Sequence, residues 1–301
     1  MSSPAAAKDA QPRTVAGPPR VEASLALEFA RDAATGQTVL SSAVHEPPLR
    51  VVRAFALDDG SALAHLHNVS GGLLGGDRLS LAVNVGSGAS VQLTTTGGTR
   101  IYRPRKSAPP TTQTNQIRVG ANALLEYVPD AIIPYAGARF AQRTRIDLSP
   151  GAGLFWWEVI APGREASGEV FAYERIDMRA DITANGRLIA AESIRLDPRS
   201  LALRSIARLG EYRYWATFYV CRVGLDPAAW LAAEEHLREA AGELSRPGEA
   251  LWGVSTLLAD GLVVRGLAVR GRDALGGLHA LWNAAKLRLY GRPAVPPRKV
   301  N

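Results

Sequence analysis

The chain has 301 residues, 35 basic and 28 acidic, for a formal net charge of +7, and its 47% hydrophobic content with a mean hydropathy of −0.03 is that of a core-forming globular protein. A single cysteine, Cys221, excludes an internal disulfide and any CxxC metal or redox pair. The basic side is nearly all arginine, scattered without a stripe of interleaved aromatics, which argues against nucleic-acid binding. No apolar run is long enough to span a bilayer, and Met1–Arg20 lacks the apolar core of a signal peptide, so the expectation is a cytoplasmic protein with no membrane partner.

Residues 1–20, rich in Ala, Pro, Ser and Gly, read as a disordered tail, and 21–301 as a single β-rich domain. Val21–Phe29 alternates, with Ala23, Leu25, Leu27 and Phe29 on one face, as a half-buried strand does. Thr38–His45 and Leu49–Ala56 follow as strands, separated by a turn at Glu46-Pro47-Pro48. Ala62–Asn68 is the next strand and runs into a glycine-dense block, Ser70–Asp77. So many glycines in so few positions imply left-handed backbone, or backbone that something approaches closely.

A strand–turn–strand grammar then recurs: Leu79–Thr96 about Gly86–Ala89, Thr114–Val128 about Gly120–Ala123, Thr144–Ile160 about Pro150–Gly153, and Arg175–Arg195 about Asn185-Gly186. The turns return at intervals of roughly thirty residues, as in stacked supersecondary units. Asn-Gly is the strongest hairpin signal among them, because a type I′ turn needs φ > 0 at both central positions. The period changes at Asp226-Pro227, an N-cap and N1 pair opening a helix over about 226–242. Ser255–Leu267 returns to strand, with a turn at Asp260-Gly261, and a second helix spans about 272–290. Gly291 stops that helix, and GRPAVPPRK beyond it reads as extended. The expected fold is mostly β, built of stacked antiparallel hairpins, with two helices near the C-terminus.

The glycine block is neither a Walker A loop nor a dinucleotide fingerprint, since it lacks Gly-Lys-Ser/Thr and a strand follows it. Ser167-Gly168-Glu169 is not a nucleophile elbow, and Cys221 lies in an apolar run that predicts a buried, inert thiol. His65 and His67, two apart on a strand, face one side and could both ligate a metal. With nearby carboxylates they make a metal-dependent hydrolase the alternative reading. Asp77 closes the glycine block, while Glu126, Glu158 and Glu192 sit in apolar strands, where an unpaired carboxylate is costly. Each either faces solvent, pairs with an arginine, or lines a wet passage, where carboxylates are weak, exchangeable ligands for a divalent ion.

Several ordered motifs carry a resemblance: GGLLGGDRL at Gly71–Leu79, LTTTGGTRIYR at Leu93–Arg103, LEYVPDAIIPYAGAR at Leu125–Arg139, WWEVIAPGREASGEVF at Trp156–Phe171, and GRPAVPPR at Gly291–Arg298. Together they resemble the UreD (UreH) family of urease accessory proteins, scaffolds for nickel-site assembly. Arg100 stands where the family usually has lysine, and Lys299-Val300 where it usually continues Ile-Trp. The resemblance implies a helically wound, β-solenoid-like arrangement and a non-enzymatic scaffold. That scaffold would bind urease apoprotein and the accessory proteins UreF and UreG, and conduct Ni²⁺ without a tightly bound cofactor. It further implies that Asp77, Glu158 and Glu192 mark the nickel passage, with Thr99 lining it. The tail residues Arg292, Pro293, Pro296, Pro297 and Arg298 are the expected partner contacts.

Overall fold

A computed structural model describes residues 21–104 and 108–297; the tail reading for 1–20 and the partner contact assigned to Arg298 fall outside the described residues. The first half contributes β1 (Glu22–Arg31), β2 (Thr38–His45), β3 (Leu49–Arg50), β4 (Ala54–Ala56), β5 (Ala62–Asn68), β6 (Arg78–Val85), β7 (Ser90–Thr95), β8 (Thr99–Ile101), β9 (Thr111–Val119), β10 (Leu124–Tyr127), β11 (Ile132–Pro134) and β12 (Arg139–Leu148). The second contributes β13 (Gly153–Ile160), β14 (Arg175–Ala184), β15 (Arg187–Leu196), β16 (Tyr214–Arg222), α1 (Pro227–Leu244), β17 (Ala250–Thr256), β18 (Gly261–Ala268) and α2 (Gly271–Tyr290). The expected strand Leu49–Ala56 is thus broken into β3 and β4, both paired to β5.

The strands form two sheets. One has seven strands in the order β15-β14-β12-β9-β6-β1-β2; the other has eleven, with the path β17-β18-β16-β13-β10-β7-β5-β3 and β4, β8 and β11 attached beside it. The antiparallel-hairpin reading is corrected at three of its turns. Gly86–Ala89, Gly120–Ala123 and Pro150–Gly153 each carry the chain from the seven-stranded sheet to the eleven-stranded one, as β6 to β7, β9 to β10 and β12 to β13. Same-sheet neighbours are then parallel: β1 with β6, β6 with β9, β9 with β12 and β12 with β14 on one side, and β5 with β7, β7 with β10 and β10 with β13 on the other. Of the four recurring turns, Asn185-Gly186, at φ 51° and 76°, makes the expected hairpin, β14–β15, and the turn at Asp260-Gly261 likewise joins antiparallel β17 and β18.

The crossing turns bond to one another rather than closing hairpins. Gly88 N–H donates to Ala121 C=O at 2.9 Å, and Asn122 N–H to Pro150 C=O at 3.0 Å. This stacking leaves no room for a side chain at Gly120, where a Cβ would lie 2.8 Å from Ser87 N and 2.9 Å from Val85 O.

Inward residues of both sheets form a core that includes Leu27, Phe29, Val83, Leu93, Leu125, Ile146, Trp156 and Ile182, with Ala23, Leu79, Phe140, Ile160 and Met178 in a second cluster. The outer face of the eleven-stranded sheet is covered by α1 and α2, whose Trp230, Leu237, Leu278, Leu281 and Trp282 pack on Phe155, Trp157, Phe218 and Val264. Trp252 is wedged between strand and helix, so a Cβ at Gly266 or Gly277 would fall 2.3 or 2.2 Å from its indole. The helix ends follow the sequence reading: the Asp226 carboxylate accepts from Ala228 N–H at 2.7 Å, and Gly291 caps α2 at φ 67°. Sequence reading missed β16, an apolar run buried on both faces without alternation, which carries the buried Cys221. Burial raises that thiol's pKa. Among the described residues no helix is long and apolar enough to cross a membrane.

Candidate functional site

Register places a polar layer inside the sandwich. Across the seven-stranded sheet one row runs Leu27, Val83, Ile117, Ile146, Ile182, Ala190 and is wholly apolar. The next row runs Leu25, Leu81, Asn115, Thr144, Ala180, Glu192, and the one beyond it Ala23, Leu79, Gln113, Gln142, Met178, Ile194. Facing these from the eleven-stranded sheet is a row of Glu158, Thr217 and Arg265. Buried polar groups need partners, and most of these find one another, while the buried Thr217 Oγ1 has none among the described residues. Gln113 Nε2 donates to Asn115 Oδ1 at 3.0 Å, Asn115 Nδ2 to Thr144 Oγ1 at 3.0 Å, and Gln142 Nε2 to Glu158 Oε1.

The layer borders a cavity of about 80 Å³ between the sheets. Thr95, Thr99, His67, Asn68, Asp130, Gln113, Asn115, Gln142 and Glu158 supply its polar wall; Leu25, Leu66, Leu79, Tyr127 and Trp156 supply apolar surface. That volume with several polar partners suits water or a hydrated ion. Glu158 is half-buried and lines this cavity. Desolvation pushes its carboxyl up to about 8; the Gln142 hydrogen bond opposes the rise and the charge of Glu192 adds to it. No lysine or arginine lies within ion-pair distance of Glu158 among the described residues.

Glu192 stands at the edge strand β15, where its Oε2 accepts from Tyr219 Oη at 3.0 Å and from Arg265 Nη1 at 2.7 Å. It lines a cleft of about 660 Å³ between the sheet edges, with Ile194, Trp215, Leu251, Arg265 and Leu267. Glu158 and Thr99 thus line one cavity, and Glu192 a separate cleft at the sheet edge. Asp77 is not brought to this cavity. It is buried in the glycine turn, where Oδ2 accepts from Leu74 N–H at 2.8 Å. Glu126 points to the opposite face, paired with Lys286 Nζ at 2.7 Å and Trp282 Nε1 at 2.8 Å.

His65 and His67 share a surface groove with Phe55, Asp58 and Asp59, as their spacing predicts. Burial, then the neighbouring charges of His65 and Arg50, lower the pKa of His67. Among the described residues no three or more His, Cys, Asp or Glu side chains are grouped to hold a metal. The tail crosses the same groove: Val295 C=O accepts from Gln92 Nε2 at 2.8 Å, Arg292 pairs with Asp59 at 2.9 Å, and Pro296 and Pro297 line the wall. Sequence reading missed Asn115, Gln142 and Thr144. Their signal was a polar residue at an inward position of an alternating strand, as in Phe140, Gln142, Thr144, Ile146.

The profile of the UreD urease accessory protein family matches residues 21–301. A urease accessory protein UreD of Herpetosiphon aurantiacus is 44% identical over 281 residues, covering 93% of this chain and 97% of the relative. Proteins of the same name from Anaeromyxobacter and Pseudomonas fluorescens are 37% and 33% identical, over 69% and 93% of this chain and 67% and 95% of their own lengths. The class is therefore that of an accessory protein rather than an enzyme, which sets the hydrolase alternative aside. The chain belongs to the UreD urease accessory protein family.

Proposed function

We propose that this chain is a cytoplasmic scaffold of urease maturation that binds UreF, UreG and urease apoprotein and passes Ni²⁺ between its two sheets. The observation that carries this reading is Glu158, a carboxylate beside an internal cavity with an amide and no cation as its partner. Nickel is cargo here. Oxygen ligands hold a first-row divalent ion less tightly than imidazole or thiolate, which suits transit. In this account Glu192 receives the ion at the sheet edge, Glu158 holds it midway, and Thr99 and Thr95 lie on the way out beside Asp130. Asp77 serves the passage indirectly, by fixing the glycine turn. The alternation of strands between two parallel-paired sheets supports a helically wound, solenoid-like description. Residues 21–301 act as one domain in this reading, and Arg292, Pro293, Pro296, Pro297 and Arg298 contact UreF.

The test is co-expression with UreF and UreG, then size-exclusion chromatography and activation of apo-urease with Ni²⁺, CO₂ and GTP. Co-elution with activation is expected; a monodisperse chain that ignores both partners contradicts the scaffold reading.

A further inference from the structure

We propose that the outer face of the seven-stranded sheet carries an anion-binding site, centred on Arg143 and Arg179, that docks a carboxylate-bearing segment of a partner protein. β12 and β14 are parallel and in register, so Arg143 lies directly opposite Arg179, one strand spacing of about 4.8 Å away. Both side chains are exposed on the face opposite the core. Like charges directly opposite on neighbouring strands oppose folding. Neither arginine has a carboxylate within 4.0 Å among the described residues.

Several other arginines of the sheet have carboxylate partners. Arg145 meets Asp147 at 3.2 Å, and Arg175 and Arg195 share Asp177 at 2.5 and 3.0 Å. One row along, Arg145 stands opposite Asp181. The sheet therefore places carboxylates among its arginines on the adjoining rows and leaves one row basic. Thr114 extends that row beyond Arg143, and Ser193 extends it beyond Arg179. Hydroxyls thus flank the two guanidinium groups along a shallow groove of about 490 Å³, which Asp181 also lines.

Two adjacent guanidinium forks match carboxylates in planar, bidentate geometry. A nucleic acid fits less well. The outward positions of β9, β12 and β14 hold no aromatic ring on which a base could stack. Arg143 and Arg179 point away from the cavity, although Glu192 borders this groove too; peptide binding is read without nickel, so its test does not depend on the nickel reading.

Binding of a fluorescein-labelled oligoglutamate peptide to the full chain, followed by anisotropy at low ionic strength, tests the proposal. Arg143→Ala with Arg179→Ala should weaken binding about tenfold. A charge-matched control, Arg204→Ala with Arg288→Ala, should stay within about twofold of the unmodified chain, since both arginines are exposed elsewhere. The thermal midpoint of the first variant should hold or rise, because a repulsion is removed. Equal loss in both variants, or none in the first, overturns the site by reducing it to net charge. A clear fall in midpoint overturns it in favour of a structural role. Oligothymidylate bound as tightly, and lost with the same pair, overturns the choice of a protein carboxylate.

Discussion

Glu126 and Glu158 sit on adjacent parallel strands of one sheet and meet opposite surroundings. Glu126 on β10 faces the helices, where Lys286 and the Trp282 indole fill its two oxygens. Burial pushes its carboxyl upward, and the Lys286 ammonium and Trp282 N–H oppose that push. Glu158 on β13 faces the other sheet, where one amide donates to it and the cavity lies beside it. Burial is common to both, so the partner decides the role. A fully partnered carboxylate fixes α2 to the sheet; one with ligand capacity left over is available to a passing cation.

Removing the cation from the first site should make it resemble the second. Lys286→Met leaves Glu126 buried without its partner and should destabilise by about 3–5 kcal/mol in chemical denaturation. Glu126→Gln with Lys286→Met should recover most of that. A loss near zero in the single variant would mean that the pair does not fix the helix.

The second site should reveal itself through pH. The folded state holds the Glu158 proton up to about 8, against an ordinary 4.5. Folding therefore takes up a proton between those values, and stability falls as pH rises through that window. Glu158→Gln cannot titrate and should flatten this slope, a difference on the order of 5 kcal/mol at the alkaline end. Thermal midpoints across that pH range check it, and parallel curves for both proteins would contradict it.

Asp77 sharpens the contrast from outside the cavity. Asp77→Ala frees the Leu74 N–H in a buried turn and should cost about 1–2 kcal/mol. Equilibrium unfolding measures this, and an unchanged midpoint would return Asp77 to the list of free ligands. The smallest effect belongs to Arg265→Ala. Its pair with Glu192 is half exposed, at 51% for the arginine side chain, so the loss should stay under about 1 kcal/mol.

How far the sequence could carry these conclusions depended on what each signal encodes. Alternation in Val21–Phe29 states which face is buried, and Ala23, Leu25, Leu27 and Phe29 are buried as read. Alternation is silent on which strand lies alongside. A four-residue glycine turn can close a hairpin or step across to a second sheet, so the pairing at Gly86–Ala89 and Gly120–Ala123 was misread. Asn185-Gly186 was legible because its dipeptide demands one turn type. Helix ends were legible because Asp226, Pro227 and Gly291 act locally. Among the acids, apolar flanks marked Glu126 and Glu158 alike, and the contact with Lys286, 160 residues away along the chain, separated them. Cys221 was placed correctly as a buried thiol although its strand was missed, since apolarity alone predicts burial.

The most direct measurement of the central claim is urease activation at limiting Ni²⁺ by complexes carrying Glu158→Gln, which keeps the shape. Because Glu158 is protonated below about 8, what the variant removes is a carboxyl that can give up its proton to a bound cation. The account predicts that the complex assembles with unchanged composition and that activation falls at least about tenfold. Full activation at limiting nickel by that variant would contradict a passage through the inter-sheet cavity.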